Sequence, residues 1–187
     1  MAPQERIELA DAYLRRFRVE DADALAHAVA ESLEHLRPWM PWADNGSADA
    51  EFQRRRLVTV HEQWRRGEEY QYGLFDTSGD VIGSFGLMTR RGRGRLEIGY
   101  WLHVDATGHG HATQATAALT DVALTVPRVK EVLIYTDVAN VRSAAIPRKL
   151  GYEMLRIEPA ERIASSETGR QQVWRRTSPV GTRDTAS

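Results

Sequence analysis

The chain has 187 residues, the length of one ordinary domain, and its 25 basic and 26 acidic residues leave a formal net charge of -1. This near-neutral balance argues against a dedicated nucleic-acid-binding protein, whose domain is usually strongly basic. The absence of cysteine excludes disulfides, cysteine-ligated zinc and a cysteine nucleophile. Because the chain is charged from Glu5 onward and lacks a long apolar run, we predict a cytoplasmic protein without a signal peptide or membrane span.

Apolar periodicity predicts a single domain over residues 1–176, followed by a small, polar segment at 177–187 that we expect to be a disordered tail. Strands and helices follow one another in an order typical of an α/β (α+β) fold, a mixed sheet with helices on both faces. The predicted strands are 13–17, 70–75, 81–88, 96–104, 132–138, 152–157 and 171–176, and the predicted helices are 22–36, 47–66, 110–126 and 140–150.

The turn Gly108-His109-Gly110, between a strand and a helix, is the first candidate site. Glycines let a ligand approach the backbone, and the unpaired N–H groups of a first helical turn attract anions. The motif is equally compatible with a tight turn that needs two glycines. It is not a dinucleotide fingerprint, because the third glycine is missing, and it is not a P-loop, because no Gly-Lys-Ser/Thr follows.

Asn140 and Ser143 form the second candidate site, directly after a strand. Asn140 is a favourable helix cap, and the Ser143 hydroxyl in the first turn could face a ligand across the end of the sheet. Taken alone, the pattern favours a plain cap with an inert serine.

Together these motifs resemble the GNAT superfamily of N-acetyltransferases, of the RimJ/RimL type, over about residues 13–176. The resemblance implies the GNAT fold, with a mostly antiparallel sheet of six to seven strands splayed between the fourth and fifth. It also implies acetyl-CoA-dependent acetylation of a primary amine by direct attack in a ternary complex. The acceptor would be a protein N-terminus or a small molecule such as an antibiotic. The motifs are LRPWMPW (36–42), YGLFDTSGDVIGSFGL (72–87), EIGYWL (97–102), GHG (108–110), NVRS (140–143) and KLGY (149–152).

The resemblance also implies how acetyl-CoA binds, as a cosubstrate and without a metal. The pantetheine arm would pair with the strand at 96–104, whose N–H groups would polarise the thioester, and the pyrophosphate would lie on the N–H groups of 107–112. Asp105 and Thr107 depart from the family pattern and provide fewer side-chain contacts to the phosphates, so we expect reduced affinity for acetyl-CoA. The implied cosubstrate residues are Trp101, Leu102, His103, Val104, Thr107, Gly108, His109, Gly110, His111, Ala112, Asn140 and Ser143.

Catalysis requires an acid for the leaving thiolate and a base for the acceptor ammonium. Ser143 matches the family's Asn-x-x-Ser position, whose serine resembles the proton donor for the thiolate. The tyrosine that other branches use for this role would fall at Pro147, which cannot serve, and this strengthens the assignment to Ser143. That proline also removes the N–H that would bond the Ser143 carbonyl, so the short helix is expected to kink. Glu97 is the first candidate for the base and Glu69 the second. Trp39 and Trp42 either line the amine pocket or anchor a loop.

Two further interpretations stay open. The residues Asp105, Thr107 and Pro147 also suit a non-catalytic acyl-CoA-binding module or sensor. The arginine-glycine run at 90–95 is compatible with an RNA-binding patch, although a solvated hairpin turn suits it better. The resemblance further implies a homodimer, which is common in the family.

Overall fold

The predicted order of helices and strands is present in the computed structural model, which describes residues 2–177. The predicted tail lies outside the described residues apart from Thr177, the last residue of the final strand. The strands are β1 (Arg6–Glu8), β2 (Ala12–Arg16), β3 (Glu69–Asp76), β4 (Val81–Met88), β5 (Arg95–Leu102), β6 (Glu131–Asp137), β7 (Glu153–Pro159) and β8 (Arg170–Thr177). The α-helices are α1 (Ala22–Leu36), α2 (Ala50–Arg66), α3 (His111–Thr125) and α4 (Val141–Lys149).

The strands form one sheet in the order β1-β2-β3-β4-β5-β6-β8-β7. Every neighbouring pair is antiparallel except β5 and β6, which run parallel. The predicted mixed, mostly antiparallel sheet is therefore confirmed, with one strand more than expected. The additional strand is β1, whose three residues include two charged ones and show no apolar alternation that could have predicted it.

Helices cover both faces of the sheet, as the sequence predicted. On one face α3 packs through Ala115 and Leu119 onto a cluster that includes Tyr72 and Ile98. On the other face α1 packs with part of α2 on a second cluster that includes Trp101. Of the described helices, none is both long and apolar enough to cross a membrane.

The parallel strands β5 and β6 stay together for only three residue pairs, from Arg95 opposite Glu131 to Glu97 opposite Leu133. Beyond Glu97 the strands separate, while β6 continues on its other side along β8 as far as Asp137. Backbone groups along the end of β5 therefore face a gap rather than a neighbouring strand. This is the predicted splay, and it lies where α3 and α4 begin.

Candidate active site

A cavity of about 790 Å³ occupies the gap between β5 and β6. Its walls come from the end of β5, the loop before α3, the first turns of α3 and α4, and the segment that follows α1. The structure thus brings together motifs that are separated by more than 100 residues along the chain. Of the sixteen residues predicted for the site, nine line the cavity: Trp39, Trp101, Leu102, Thr107, Gly108, Gly110, Ala112, Asn140 and Ser143.

The glycine turn forms the wall at the N-terminus of α3. Gly108 and Gly110 have φ angles of 84° and 87°, which residues with a Cβ rarely adopt, and Gly110 is the N-cap of the helix. A Cβ at Gly108 would meet no protein atom within 4 Å, so this part of the backbone opens onto free space. The first N–H groups of a 15-residue helix therefore lie beside the cavity, where the helix dipole favours an anion.

His103 and Val104 do not line the cavity, and their backbone N–H groups are bonded within the protein. The His103 N–H donates to the Ile82 carbonyl at 3.0 Å, and the Val104 N–H donates to the Ser32 hydroxyl at 3.1 Å. The His103 ring is also engaged, with Nε2 3.0 Å from the carboxylate of Glu31. These two residues anchor the end of β5 to α1, which leaves their amides unavailable to polarise a thioester.

Among the remaining residues of the predicted loop, Thr107 lines the cavity, whereas His109 and His111 do not. His109 is exposed, and His111 places its Nδ1 3.6 Å from a carboxylate oxygen of Asp11. The side chain of Asp105 is 90% exposed and does not line the cavity, so its negative charge acts on the cavity only through solvent. The hydroxyl of Thr107 donates to the Val104 carbonyl at 2.9 Å.

Ser143 lies in the first turn of α4, which Asn140 caps by accepting a 3.1 Å hydrogen bond from the Ser143 N–H. The Ser143 hydroxyl is 3.2 Å from the hydroxyl of Tyr100 on β5. The same phenol donates to the Ser143 carbonyl at 3.2 Å. That carbonyl is the one whose helical donor Pro147 removes, so Tyr100 replaces the missing N–H across the gap. The helix accordingly continues past Pro147 to Lys149.

Sequence reasoning did not select Tyr100, although the residue lies within EIGYWL and lines the cavity. Burial raises its pKa to about 12, so the phenol stays protonated and acts as a hydrogen-bond donor. The sequence did offer one signal for such a residue, because Pro147 was expected to leave the Ser143 carbonyl without a hydrogen-bond donor. Its partner came from a strand more than 40 residues earlier, which local sequence could not specify.

The two glutamates predicted as bases do not line the cavity. Glu97 is buried, with its side chain 5% exposed, and its carboxylate pairs with the guanidinium groups of Arg90 and Arg91. Arg91 also stacks on the ring of Tyr135 at 3.8 Å. Glu69 accepts a hydrogen bond from the side chain of Gln71. The structure therefore does not bring either carboxylate to Ser143, and a basic role for them stays a prediction.

The ion pairs of Glu97 predict that replacing this residue destabilises the fold. We expect Glu97→Gln to lower the free energy of unfolding by about 1.5–3 kcal/mol, because hydrogen bonds to charged groups contribute that much. Urea denaturation measures it. A matched control is Glu153→Gln, since Glu153 pairs with Arg175 but is 62% exposed, and such pairs contribute about 1 kcal/mol or less. Equal midpoints for both variants would contradict this assignment.

The segment after α1 supplies the remaining wall. Trp39 and Met40 line the cavity, whereas Trp42 is 40% exposed and packs on Trp101 with ring centroids 6.0 Å apart. Trp42 thus contacts the cavity-lining residue Trp101 but does not line the cavity itself. His35, in the last turn of α1, also lines the cavity and was not selected from the sequence.

The arginine-glycine run at 90–95 forms the turn between β4 and β5. Gly92 and Gly94 adopt positive φ angles there. Arg90 and Arg91 pair with Glu97, and Arg95 pairs with Glu131 at 2.8 Å. The run is therefore a hairpin turn with several of its cations paired within the domain, as the sequence favoured. Among residues 2–177, no group of three or more His, Asp or Glu side chains is arranged to hold a metal ion.

Comparison with known proteins decides the family. The family sequence model of the acetyltransferase (GNAT) domain matches residues 12–153 of this chain, about three quarters of its length. The chain belongs to the GNAT acetyltransferase family. As a GNAT enzyme it is an acetyl-CoA-dependent N-acetyltransferase with an amine as acceptor, which confirms the function expected from its motifs. The non-catalytic alternative finds no support in these comparisons.

Individual relatives of this GNAT domain agree with the RimJ/RimL type. YdaF of Bacillus subtilis, which carries the name of a ribosomal N-acetyltransferase, is 28% identical over 145 residues, covering 74% of this chain and 76% of YdaF. The ribosomal-protein-S5-alanine acetyltransferase of Vibrio fischeri superposes with a TM-score of 0.84 at 18% identity, covering 93% of this chain and 97% of that one. RimJ of Mycobacterium smegmatis superposes with a TM-score of 0.81 at 20% identity, covering 89% and 81%.

Proposed function

We propose that acetyl-CoA occupies the cavity with its pantetheine arm along the unpaired end of β5 and its pyrophosphate on the first N–H groups of α3. The observation that carries this proposal is the convergence of the strand separation, the Gly108–Gly110 turn and Ser143 on one cavity. A volume of about 790 Å³ lies in the range of ordinary small-molecule sites, which are roughly 300–1,000 Å³. Trp101 and Leu102, rather than His103 and Val104, would lie nearest the thioester.

The acetyl group would pass directly to the acceptor. The amine nitrogen forms a bond to the acetyl carbon, the carbon–sulfur bond breaks, the amine loses a proton and the CoA sulfur gains one. Ser143 would supply the sulfur's proton and then regain one from solvent, because it lines the open cavity and the chain has no cysteine for an acyl-enzyme route. Tyr100 supports this role by orienting the hydroxyl and the carbonyl of Ser143.

The acceptor would be the N-terminal amine of a polypeptide. The wall beyond Ser143 combines apolar side chains (Leu36, Trp39 and Met40) with the cation of Arg142, and none of the cavity-lining residues is acidic. Such a wall suits a single amine beside apolar groups better than a polycation, which needs carboxylates for recognition. The names of YdaF and the S5-alanine enzyme describe acetylation of ribosomal proteins, which supports a protein acceptor.

A thiol-release assay with acetyl-CoA tests this acceptor class. Short peptides with free N-termini are expected to be acetylated, whereas the same peptides with blocked N-termini and the polyamine spermidine are not. Turnover confined to small amines would replace the peptide by a small-molecule acceptor. Acetyl-CoA binding without turnover on any amine would overturn the enzymatic proposal. A homodimeric state and a cytoplasmic location stay predictions, which light scattering and cell fractionation measure.

A further inference from the structure

The acceptor amine must lose a proton before it attacks the thioester, and few groups in the cavity can take it. Apart from hydroxyls of serine and threonine, four cavity-lining side chains are ionisable: His35, Tyr100, Arg142 and Lys149. Arginine and lysine cations have donors but no acceptor lone pair. Tyr100 is protonated, since its pKa is about 12. Only the imidazole of His35 has a basic nitrogen available at neutral pH.

His35 lies in the last turn of α1 and lines the same cavity as Ser143. The ring is partly buried and lies close enough to Arg142 of α4 and to His103, after β5, for both to act on its charge. The second nearby histidine is already engaged, because the ring of His103 contacts Glu31 and accepts from the Asp105 N–H at 3.2 Å. His35 is therefore the histidine that the fold presents to the cavity.

The surroundings of His35 keep its imidazole neutral. Burial is the largest cause that lowers the pKa of His35, and the positive charge of Arg142 lowers it further, with a smaller electrostatic contribution from the neighbouring His103. The carboxylates on the same helix are paired elsewhere. Glu31 contacts His27 and His103, and Glu34 pairs with Arg37 at 2.7 Å. An imidazole must be neutral to accept a proton. The basic function of His35 is therefore lost only as the pH falls through this lowered pKa.

We infer that His35 is the general base of the acetyl transfer, accepting the proton of the acceptor ammonium directly or through one water molecule. The proton leaves the amine as its lone pair forms the bond to the acetyl carbon, and the imidazolium later returns it to solvent through the open cavity. Ser143 and His35 would then act on opposite sides of the thioester, one on the sulfur and one on the nitrogen. This inference rests on the proposed function.

Removing the imidazole tests the assignment. We expect His35→Ala to lower kcat by about 10²-fold, in the range of general acid–base catalysis, with unchanged affinity for acetyl-CoA. The acid limb in the pH profile of kcat/KM should disappear, and added imidazole should restore part of the rate. His27→Gln is the matched control, because His27 lies on the same helix with its side chain 74% exposed, and its profile should equal that of the wild type.

A second variant separates a chemical role from a structural one. Arg142→Gln removes a charge that lowers the pKa of His35, so the acid limb should move to higher pH at saturating acetyl-CoA. A wild-type pH profile in His35→Ala would overturn the inference, and loss of the acid limb in a folded Glu97→Gln variant would assign the base to Glu97. Absence of wild-type turnover would refute the proposed function instead, so the two failures are distinct.

Discussion

Replacing Ser143 by alanine is expected to lower kcat by about 10²-fold while leaving the affinity for acetyl-CoA nearly unchanged. The hydroxyl is the group proposed to protonate the leaving thiolate, and it takes no part in capping α4. Asn140 accepts from the backbone N–H of Ser143, which alanine retains. Steady-state kinetics with a peptide acceptor, together with calorimetric titration of acetyl-CoA, measure the two quantities separately.

A variant of Tyr100 tests whether its hydroxyl acts together with that of Ser143. Tyr100→Phe removes the partner of the serine hydroxyl and the donor to its carbonyl, so kcat should also fall. If the two hydroxyls act as one unit, the double variant is no slower than Ser143→Ala alone. Ser78→Ala, in the exposed turn between β3 and β4, is the control. Wild-type turnover in Ser143→Ala would remove the serine from the mechanism.

Substitution of Gly108 by valine is expected to weaken acetyl-CoA binding by about ten- to a hundredfold. This range corresponds to the roughly 1.5–3 kcal/mol of one lost hydrogen bond to a charged group. The new side chain would project from the loop proposed to hold the pyrophosphate. Since no protein atom lies within 4 Å of the added Cβ, an effect on binding reports the ligand's own position or the backbone geometry. Calorimetric titration measures the dissociation constant.

Gly92→Val separates those two causes. Gly92 has a φ of 91°, close to the 84° of Gly108, and its added Cβ likewise meets nothing within 4 Å. Gly92 lies in the turn between β4 and β5, away from the cavity. Both variants should therefore lose similar stability, because both force a β-branched residue into the left-handed region. A Gly108→Val protein with wild-type acetyl-CoA affinity would contradict the proposed position of the pyrophosphate.

Patterns that depend on neighbours along the chain were readable from the sequence. Apolar periodicity predicted the four α-helices and seven of the eight described strands, since a buried face repeats with the period of its element. The glycine turn was readable because positive φ angles select glycine. The Asn140 cap was readable because the interaction spans three residues. The family resemblance added the gap between β5 and β6, which no local pattern predicts.

Contacts between distant segments were decided only by the tertiary structure. The sequence indicated that Pro147 leaves the Ser143 carbonyl without a helical donor, but only the fold placed the hydroxyl of Tyr100 against it. The fold likewise used the amide of Val104 to bind Ser32, and it buried the carboxylate of Glu97 among arginines. A side chain's partners depend on which elements meet in space, and this is not encoded by the spacing of residues along one element. Motifs and the family resemblance therefore predicted the fold, the family and the cosubstrate, whereas packing decided which side chains line the cavity.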